Sequence, residues 1–254
     1  MSQRLLRFCP SVQGSVALSS SFDAAARFGR YRSWLATLVA TLLVAACGGG
    51  GGNGEPAPTP YSVRMAWAQL LAAPHSWTLA GNAPNAQAFT LTLAFAPLPD
   101  APFPVTGAMA RRTAETITLG SAGQSSSGTL TLYLDQPSLA FIGFEADGIC
   151  SVATSNTALP ESALIGASGA IFALSDLDSC QNNAVAVGTT TSTWSLEIDS
   201  GVGLLCWNMA SADSAGVPNG STSTCVEISA DGTLGTRARY VLSADGVEVR
   251  ARNF

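Results

Sequence analysis

Leucine and phenylalanine alternate with threonine and alanine along Phe89-Thr90-Leu91-Thr92-Leu93-Ala94-Phe95. The same two-residue period runs through Leu130, Leu132 and Leu134, with Thr131 and Tyr133 between them. It returns in Trp194, Leu196 and Ile198, set against Ser195, Glu197 and Asp199. Successive side chains of a strand point to opposite faces, so each run predicts a strand with one buried and one solvated face. Gly, Pro, Asn and Ser punctuate the runs, and no long helical pattern intervenes to make parallel crossovers. The expected fold is all-β and mainly antiparallel, a sandwich or a barrel. One segment departs from it. Val63, Ala66, Trp67, Leu70 and Leu71 recur at helical spacing until Pro74, and Thr59-Pro60 reads as an N-cap and first helical residue. That predicts one short N-terminal amphipathic helix packed on the β body.

The last two hairpins can be read in detail. Asp245-Gly246 fits a two-residue turn that pairs Leu242 with Val249 and Tyr240 with Ala251. At Asp231-Gly232 a two-residue turn would put Ile228 on the arginine-bearing face. A three-residue turn with Gly232 left-handed instead pairs Ile228 with Leu234 and Val226 with Thr236, and keeps the apolar face intact. Glu227, Arg237, Arg239, Glu248, Arg250 and Arg252 then share the outer face, as a solvated and partly paired surface or as a grip for an anionic partner.

Ahead of the β body the pattern changes. Arg27, Arg30 and Arg32 precede an uncharged run, Trp34 to Ala46, of 13 residues. A spanning helix needs roughly 20 apolar residues, so this run is too short to stay in a bilayer. A basic flank, a short apolar core and small residues before a cut site describe a secretory signal, residues 1–46. Met1 to Ala26 adds nothing a signal needs and reads as a start placed too far upstream. Leu43-Val44-Ala45-Ala46-Cys47 resembles a lipobox, with Val44 where leucine is commonest. That resemblance implies cleavage before Cys47 and acylation of its thiol, so the expected partner is a lipid bilayer. Five glycines and then Pro56-Ala57-Pro58-Thr59-Pro60 make residues 47–60 a tether, flexible at first and stiffer later, of roughly 20 Å. Residues 61–254 form the expected domain. Gly48, not Asp, follows the lipid cysteine. By resemblance to sorted lipoproteins this implies the outer membrane, facing either the periplasm or the cell surface.

Composition narrows the partners. From Cys47 onward the chain has 7 basic and 16 acidic residues, a formal charge of −9, and no lysine. A diffuse field of that sign repels nucleic acid and anionic lipid. Without Gly-Lys-Ser/Thr after the glycines there is no phosphate loop. Cys150, Cys180, Cys206 and Cys225 are an even set, which in an oxidising compartment reads as disulfides. Neighbour pairing, Cys150–Cys180 and Cys206–Cys225, would staple adjacent strands of a meander. A Cys₄ zinc site would want a close Cys-x-Cys knuckle, and the gaps of 29, 25 and 18 residues hold none.

Candidate chemistry is sparse. His75 is the one histidine. The order His75, Asp135, Ser168, with Gly166-Ala167-Ser168-Gly169-Ala170, resembles trypsin-like proteases, but the histidine context is Ala-Pro-His-Ser-Trp and the acid before the serine is missing. The bland alternatives are a capping histidine and a turn-forming serine. Asp176 and Asp178, Glu145 and Asp147, and Glu197 and Asp199 are carboxylates spaced by two, which would share a strand face and could serve a glycosidase or decorate a solvated wall. Asp176-x-Asp178 with Gln181, Asn182 and Asn183 is a loose calcium-loop candidate.

Leu159-Pro160-Glu161-Ser162-Ala163, Gly166-Ala167-Ser168-Gly169, Trp194-Ser195-Leu196-Glu197 and Leu204-Leu205-Cys206 are similar to a group of bacterial lipoproteins with a Gly-rich start and a β-rich body. The resemblance implies an envelope address and no activity, cofactor or metal. The expectation is a membrane-anchored binding or envelope-structural module for a protein or glycan ligand, with an apolar or aromatic patch around Trp207 or Trp77. The alternative is an extracytoplasmic hydrolase of glycan or peptide, with converging His75 or carboxylates.

Overall fold

The computed structural model describes residues 58–254 apart from 84–86, 137 and 245. The signal segment, Cys47, the tether up to Ala57 and the turn residue Asp245 lie outside the described residues. Tyr61 makes a bridge to Ala163 and is followed by α1 (Val63–Ala72), β1 (His75–Asn82), β2 (Ala88–Pro102), β3 (Met109–Ser121) and β4 (Gln124–Leu134). Then come β5 (Phe141–Ala146), β6 (Ile149–Asn156), β7 (Ser168–Leu177), β8 (Ala186–Asp199), β9 (Val202–Asp213), β10 (Pro218–Ile228), β11 (Leu234–Ala244) and β12 (Val247–Arg252). Each strand pairs antiparallel with the next and β12 returns to β1, so the sheet is a closed barrel. Of sandwich and barrel, the chain forms the barrel.

Tight turns drive the meander. Ala122-Gly123, Asp147-Gly148 and Ser200-Gly201 are two-residue connections in which both members have positive φ. That twist matches the right-handed twist of the flanking strands, and glycine at the second position adopts it without a Cβ clash. The last hairpin has the expected pairs Leu242–Val249 and Tyr240–Ala251. The Ser229-to-Thr233 turn is the three-residue one, with Gly232 at φ +88° and Ile228 opposite Leu234. Val226 is paired with Ala238 rather than Thr236. A bulge inserts two extra residues on β11. The Glu227 carboxylate turns into it, filling the space beside Gly235 and accepting from the Arg237 amide at 3.1 Å. An insertion of two preserves the side-chain parity, so Arg237 and Arg239 keep the outer face.

The alternating apolar residues point inward. Phe89, Leu91, Leu93 and Phe95 are buried, as are Leu132, Leu134, Trp194 and Leu196. Side chains alone fill a barrel of about eight strands, and twelve leave extra space. Here α1 fills it at one end, burying Val63, Ala66, Trp67, Leu70 and Leu71 in the same core. Trp67 meets Trp207 edge-on at 5.8 Å, Trp207 meets Phe95 at 5.5 Å, and Phe95 meets Trp77 at 6.4 Å. This aromatic chain crosses the interior from β9 to β2. Both Trp207 and Trp77 are therefore core residues and not the surface patch expected for them. The Thr113 hydroxyl donates to the Leu71 carbonyl at 3.0 Å, fastening the last turn of α1 to β3. The helix starts later than Thr59-Pro60 predicts, with Ser62 as N-cap. Tyr61 exchanges two backbone hydrogen bonds with Ala163, which holds it extended until the bridge is complete.

Candidate functional site

Residues facing outward on β8 to β11 form a polar cluster around a disulfide on the outer wall. Pairing sets Ser195 beside Cys206, Cys206 beside Cys225 and Cys225 beside Arg239 in one cross-strand row. Cys206 and Cys225 are joined as a disulfide directly across the ladder, with Cα atoms 4.0 Å apart, and Cys150 is joined to Cys180. Both expected bridges are present. The Arg239 guanidinium lies over the first, 3.2 Å from Cys225 Sγ, and forks to Glu197 at 2.6 Å and Asp199 at 3.1 Å. Burial raises the Glu197 pKa, but its bonds to Arg239 and Ser195 outweigh that and hold the carboxyl below its ordinary range. Leu204, Val202 and the C-terminal Phe254 close over the same disulfide.

Glu197, Cys206 and Cys225 bring three potential ligand atoms together, and among the described residues no other such group occurs. The two sulfurs are spent on each other, so the set does not fit a metal. Arg250 is bonded to Glu248 at 2.5 Å and Arg252 lies 5.9 Å from the Phe254 ring centre. Three of the four outer arginines thus have partners on their own wall, the expected solvated and paired face.

Beside this cluster, two shallow depressions of about 250 and 540 Å³ adjoin on the same wall. Thr191, Thr193, Asn208, Ser221 and Ser223 supply hydroxyls and an amide, and Glu248 supplies a carboxylate. The larger depression continues past Thr189 and Ala212 to Pro218 and Gly246, at the hairpin end opposite α1.

The other sequence candidates are dispersed. His75 donates from Nε2 to the Gln69 carbonyl at 3.0 Å and stacks on Trp77, closing the C-terminal end of α1. Ser168 is exposed at the start of β7, six strands from β1 around a ring of twelve, so the two do not converge. Asp135 is engaged by Ser138 at 2.6 Å. Asp176 points inward and accepts from Ser151 at 2.6 Å and Thr190 at 2.9 Å, whereas Asp178 lies past the end of β7 and accepts from the Val185 amide at 3.0 Å. These two share no face, because the strand ends between them, and their oxygens are not pooled as a calcium loop requires. Glu145 accepts from the Tyr133 hydroxyl at 3.0 Å, while Asp147 is a turn residue at φ +52°, so this pair also fails to share a strand face. Only Glu197 and Asp199 work together, and they do so on Arg239.

Sequence reasoning missed Glu115. It projects inward from β3 between Phe95 and Leu130, is 5% exposed, and has no hydrogen-bond or ion-pair partner among the described residues. Burial raises its pKa from 4.5 to about 7. Its place one strand period before Ile117 and Leu119 is a signal that could have found it. Comparison of the chain with protein-family models, with curated proteins and with solved structures gives no match.

Proposed function

We propose that this chain is a lipid-tethered envelope protein that works by binding, presenting the outer wall of β8 to β12 to a neutral polyhydroxylated ligand such as a glycan strand. The observation that carries the reading is the place and lining of the grooves. They open toward the hairpin end, opposite the end where the chain enters, and their donors and acceptors are hydroxyls, an amide and one carboxylate. Neutral glycans are read by such groups, and an interior occupied by the core around α1 and by the Ser151–Asp176–Thr190 cluster leaves the outer wall as the contact surface. The tether supports the same orientation, because Pro60, 13 residues after Cys47 in the sequence, lies on the side of α1. Among the described residues no helix is long and apolar enough to cross a membrane. Outward positions such as Thr90, Thr92, Thr116, Thr118, Thr191 and Thr193 are polar, the reverse of a membrane-spanning barrel, whose lipid face is apolar. This supports a barrel that stands beside the bilayer.

The anchor is tested by fractionation and intact mass. Wild type should carry acyl chains on an N-terminal Cys47, and Cys47→Ala should leave the membrane fraction or stay unprocessed. An unmodified mature N-terminus upstream of Ala46 would end the reading. The ligand class is tested by titrating neutral cell-wall oligosaccharides while following amide shifts. Perturbation confined to Thr191, Thr193, Asn208 and Ser223 is expected, and silence there would remove the glycan assignment.

A further inference from the structure

Four large apolar side chains lie exposed around the point where the chain enters the barrel. Met65 on α1 is 54% exposed, Leu164 and Ile165 in the β6–β7 loop are 44% and 37% exposed, and Ile198 near the end of β8 is 60% exposed. Tyr61 links them. Its backbone exchanges two hydrogen bonds with Ala163, the neighbour of Leu164. Its ring lies over Gly203, the cross-strand partner of Ile198. Met65 follows four residues later and stands beside Gly232 on the next turn of the rim.

The exposure of Ile198 is at odds with its own strand. Trp194 and Leu196, of the same parity, are buried, so Ile198 continues the core stripe past the rim with no protein to cover it. Leu164 and Ile165 sit in a loop whose backbone is held by Gly166 donating to Leu196 and by Leu196 donating to Ala167, which fixes their place beside β8. Grouped apolar side chains mark a contact surface. Among the described residues the hairpin rim exposes only the smaller Val185, Val187, Val217 and Val247, whereas the larger Met65, Leu164, Ile165 and Ile198 lie at the rim where the chain enters.

The length of the preceding chain identifies the occupant. Pro60 stands 13 residues after Cys47, and such a chain spans roughly 20 Å. With acyl chains on Cys47, this rim is the part of the barrel held nearest the lipid. Charge does not drive the contact: Arg64, the cation of α1, is already bonded to Glu161 and to the Leu159 carbonyl. We propose that Met65, Leu164, Ile165 and Ile198 form a lipid-docking rim that seats the α1 end of the barrel on the bilayer bearing the Cys47 acyl chains. The inference rests on the lipid-anchor reading. It adds that the barrel lies on the membrane in one orientation, with the hydroxyl-lined wall and hairpin end directed away.

The test uses the full acylated chain, purified from membranes and reconstituted into phosphatidylcholine vesicles containing spin-labelled phosphatidylcholine. A polarity-sensitive fluorophore is attached through Ile198→Cys or Leu164→Cys at the rim, or through Val217→Cys, 56% exposed at the hairpin end, with the native disulfides kept oxidised. A docked apolar face sinks ~5–10 Å into the headgroup boundary, so rim labels should be blue-shifted and quenched about threefold more than the label at 217. Acylated protein that stays with the vesicles while all three labels are quenched alike would overturn the docking rim and leave the anchor standing. Protein that carries no acyl group would overturn both. A rim signal that grows with protein density in unlabelled vesicles would assign the surface to a second copy of the chain and overturn the lipid assignment.

Discussion

The indole Nε1 of Trp77 on β1 donates to the carbonyl of Gly235 on β11 at 3.1 Å, spanning the place of the strand that should separate them. The β1–β12 pairing runs only from Ala80–Arg252 to Asn82–Arg250, whereas β1 and β2 pair from His75 to Asn82. Strand β12 ends at Arg252, so toward the α1 end the barrel is closed by this side-chain bond and not by a ladder. Asn253 assists by donating to Thr236 O at 2.9 Å and accepting from the Ala238 amide at 2.8 Å.

The seam should therefore open first. Trp77→Phe keeps much of the aromatic packing but removes the donor, leaving the Gly235 carbonyl without it, at a cost of about 1–2 kcal/mol. Native-state hydrogen exchange should show faster exchange in β1, β12 and the start of β11, with β8 and β9 unchanged. Uniform acceleration across all strands would show that the barrel opens as a whole and that the seam is not its weak point.

Glu115 makes stability depend on pH. Its folded pKa of about 7 lies above its ordinary 4.5, so the folded state favours the protonated carboxyl. The stabilisation relative to an ionised Glu115 is fully present below pH 4.5 and is lost as pH rises toward and through 7. Glu115→Gln keeps the shape and removes the titration. In urea denaturation it should match wild type near pH 4 and exceed it at pH 8 by on the order of 3 kcal/mol, 1.4 per pKa unit. Wild type and variant with parallel pH profiles would show that the carboxyl finds solvent or a partner.

His75 and Ser168 should behave as structural residues. Ser168→Ala should leave labelling by a fluorophosphonate at the background of the wild type. His75→Ala removes the ring donor from the Gln69 carbonyl and its stacking on Trp77, and should cost about 1 kcal/mol by lost capping and packing. Wild-type labelling that vanishes in Ser168→Ala would reinstate a serine nucleophile and displace the binding reading.

Where local rules decide the structure, the sequence is readable. Period-two alternation placed Phe89 to Phe95 on the core face, and the need to keep Ile228 inward selected the three-residue turn at Gly232. Neighbour pairing selected both disulfides, but only Cys206–Cys225 staples two adjacent strands, because Cys180 lies past the end of β7 in the connection to β8. Barrel closure was not readable, because a sandwich and a barrel demand the same alternation and only a short β1–β12 ladder distinguishes them. The start of α1 was displaced by Tyr61–Ala163, a contact about a hundred residues apart in the chain. Likewise Trp77 and Trp207 are amphipathic residues whose burial depends on what lies across the interior. The carboxylate pairs failed for a similar reason: spacing by two predicts a shared face only while the strand continues, and Asp178 and Asp147 lie beyond strand ends.

The arrangement of Arg239 over Cys206–Cys225 yields the last prediction. Among the described residues Arg239 is the only cation bonded to Glu197 and Asp199, and its side chain is 24% exposed. Arg239→Met keeps most of the apolar stem over the disulfide but leaves two carboxylates side by side, one on each side of Ile198. A fully buried pair would lose several kcal/mol on such a change, but Glu197 is 40% exposed, so solvent screening reduces the expected loss to about 1–2 kcal/mol. Arg239→Lys should recover only part of it, because an ammonium cannot reproduce the two-pronged contact. The cycle of Arg239→Met with Glu197→Gln isolates the pair and should return a coupling of about 1 kcal/mol at pH 7. Because the Glu197 pKa is lowered by these bonds despite its burial, that coupling is present above the ordinary carboxylate range and is lost as pH falls through the lowered value. High salt should weaken it only in part, since one side of the fork rests against protein. A coupling that is zero at pH 7 would reduce the Arg239 fork to a surface contact without energetic weight.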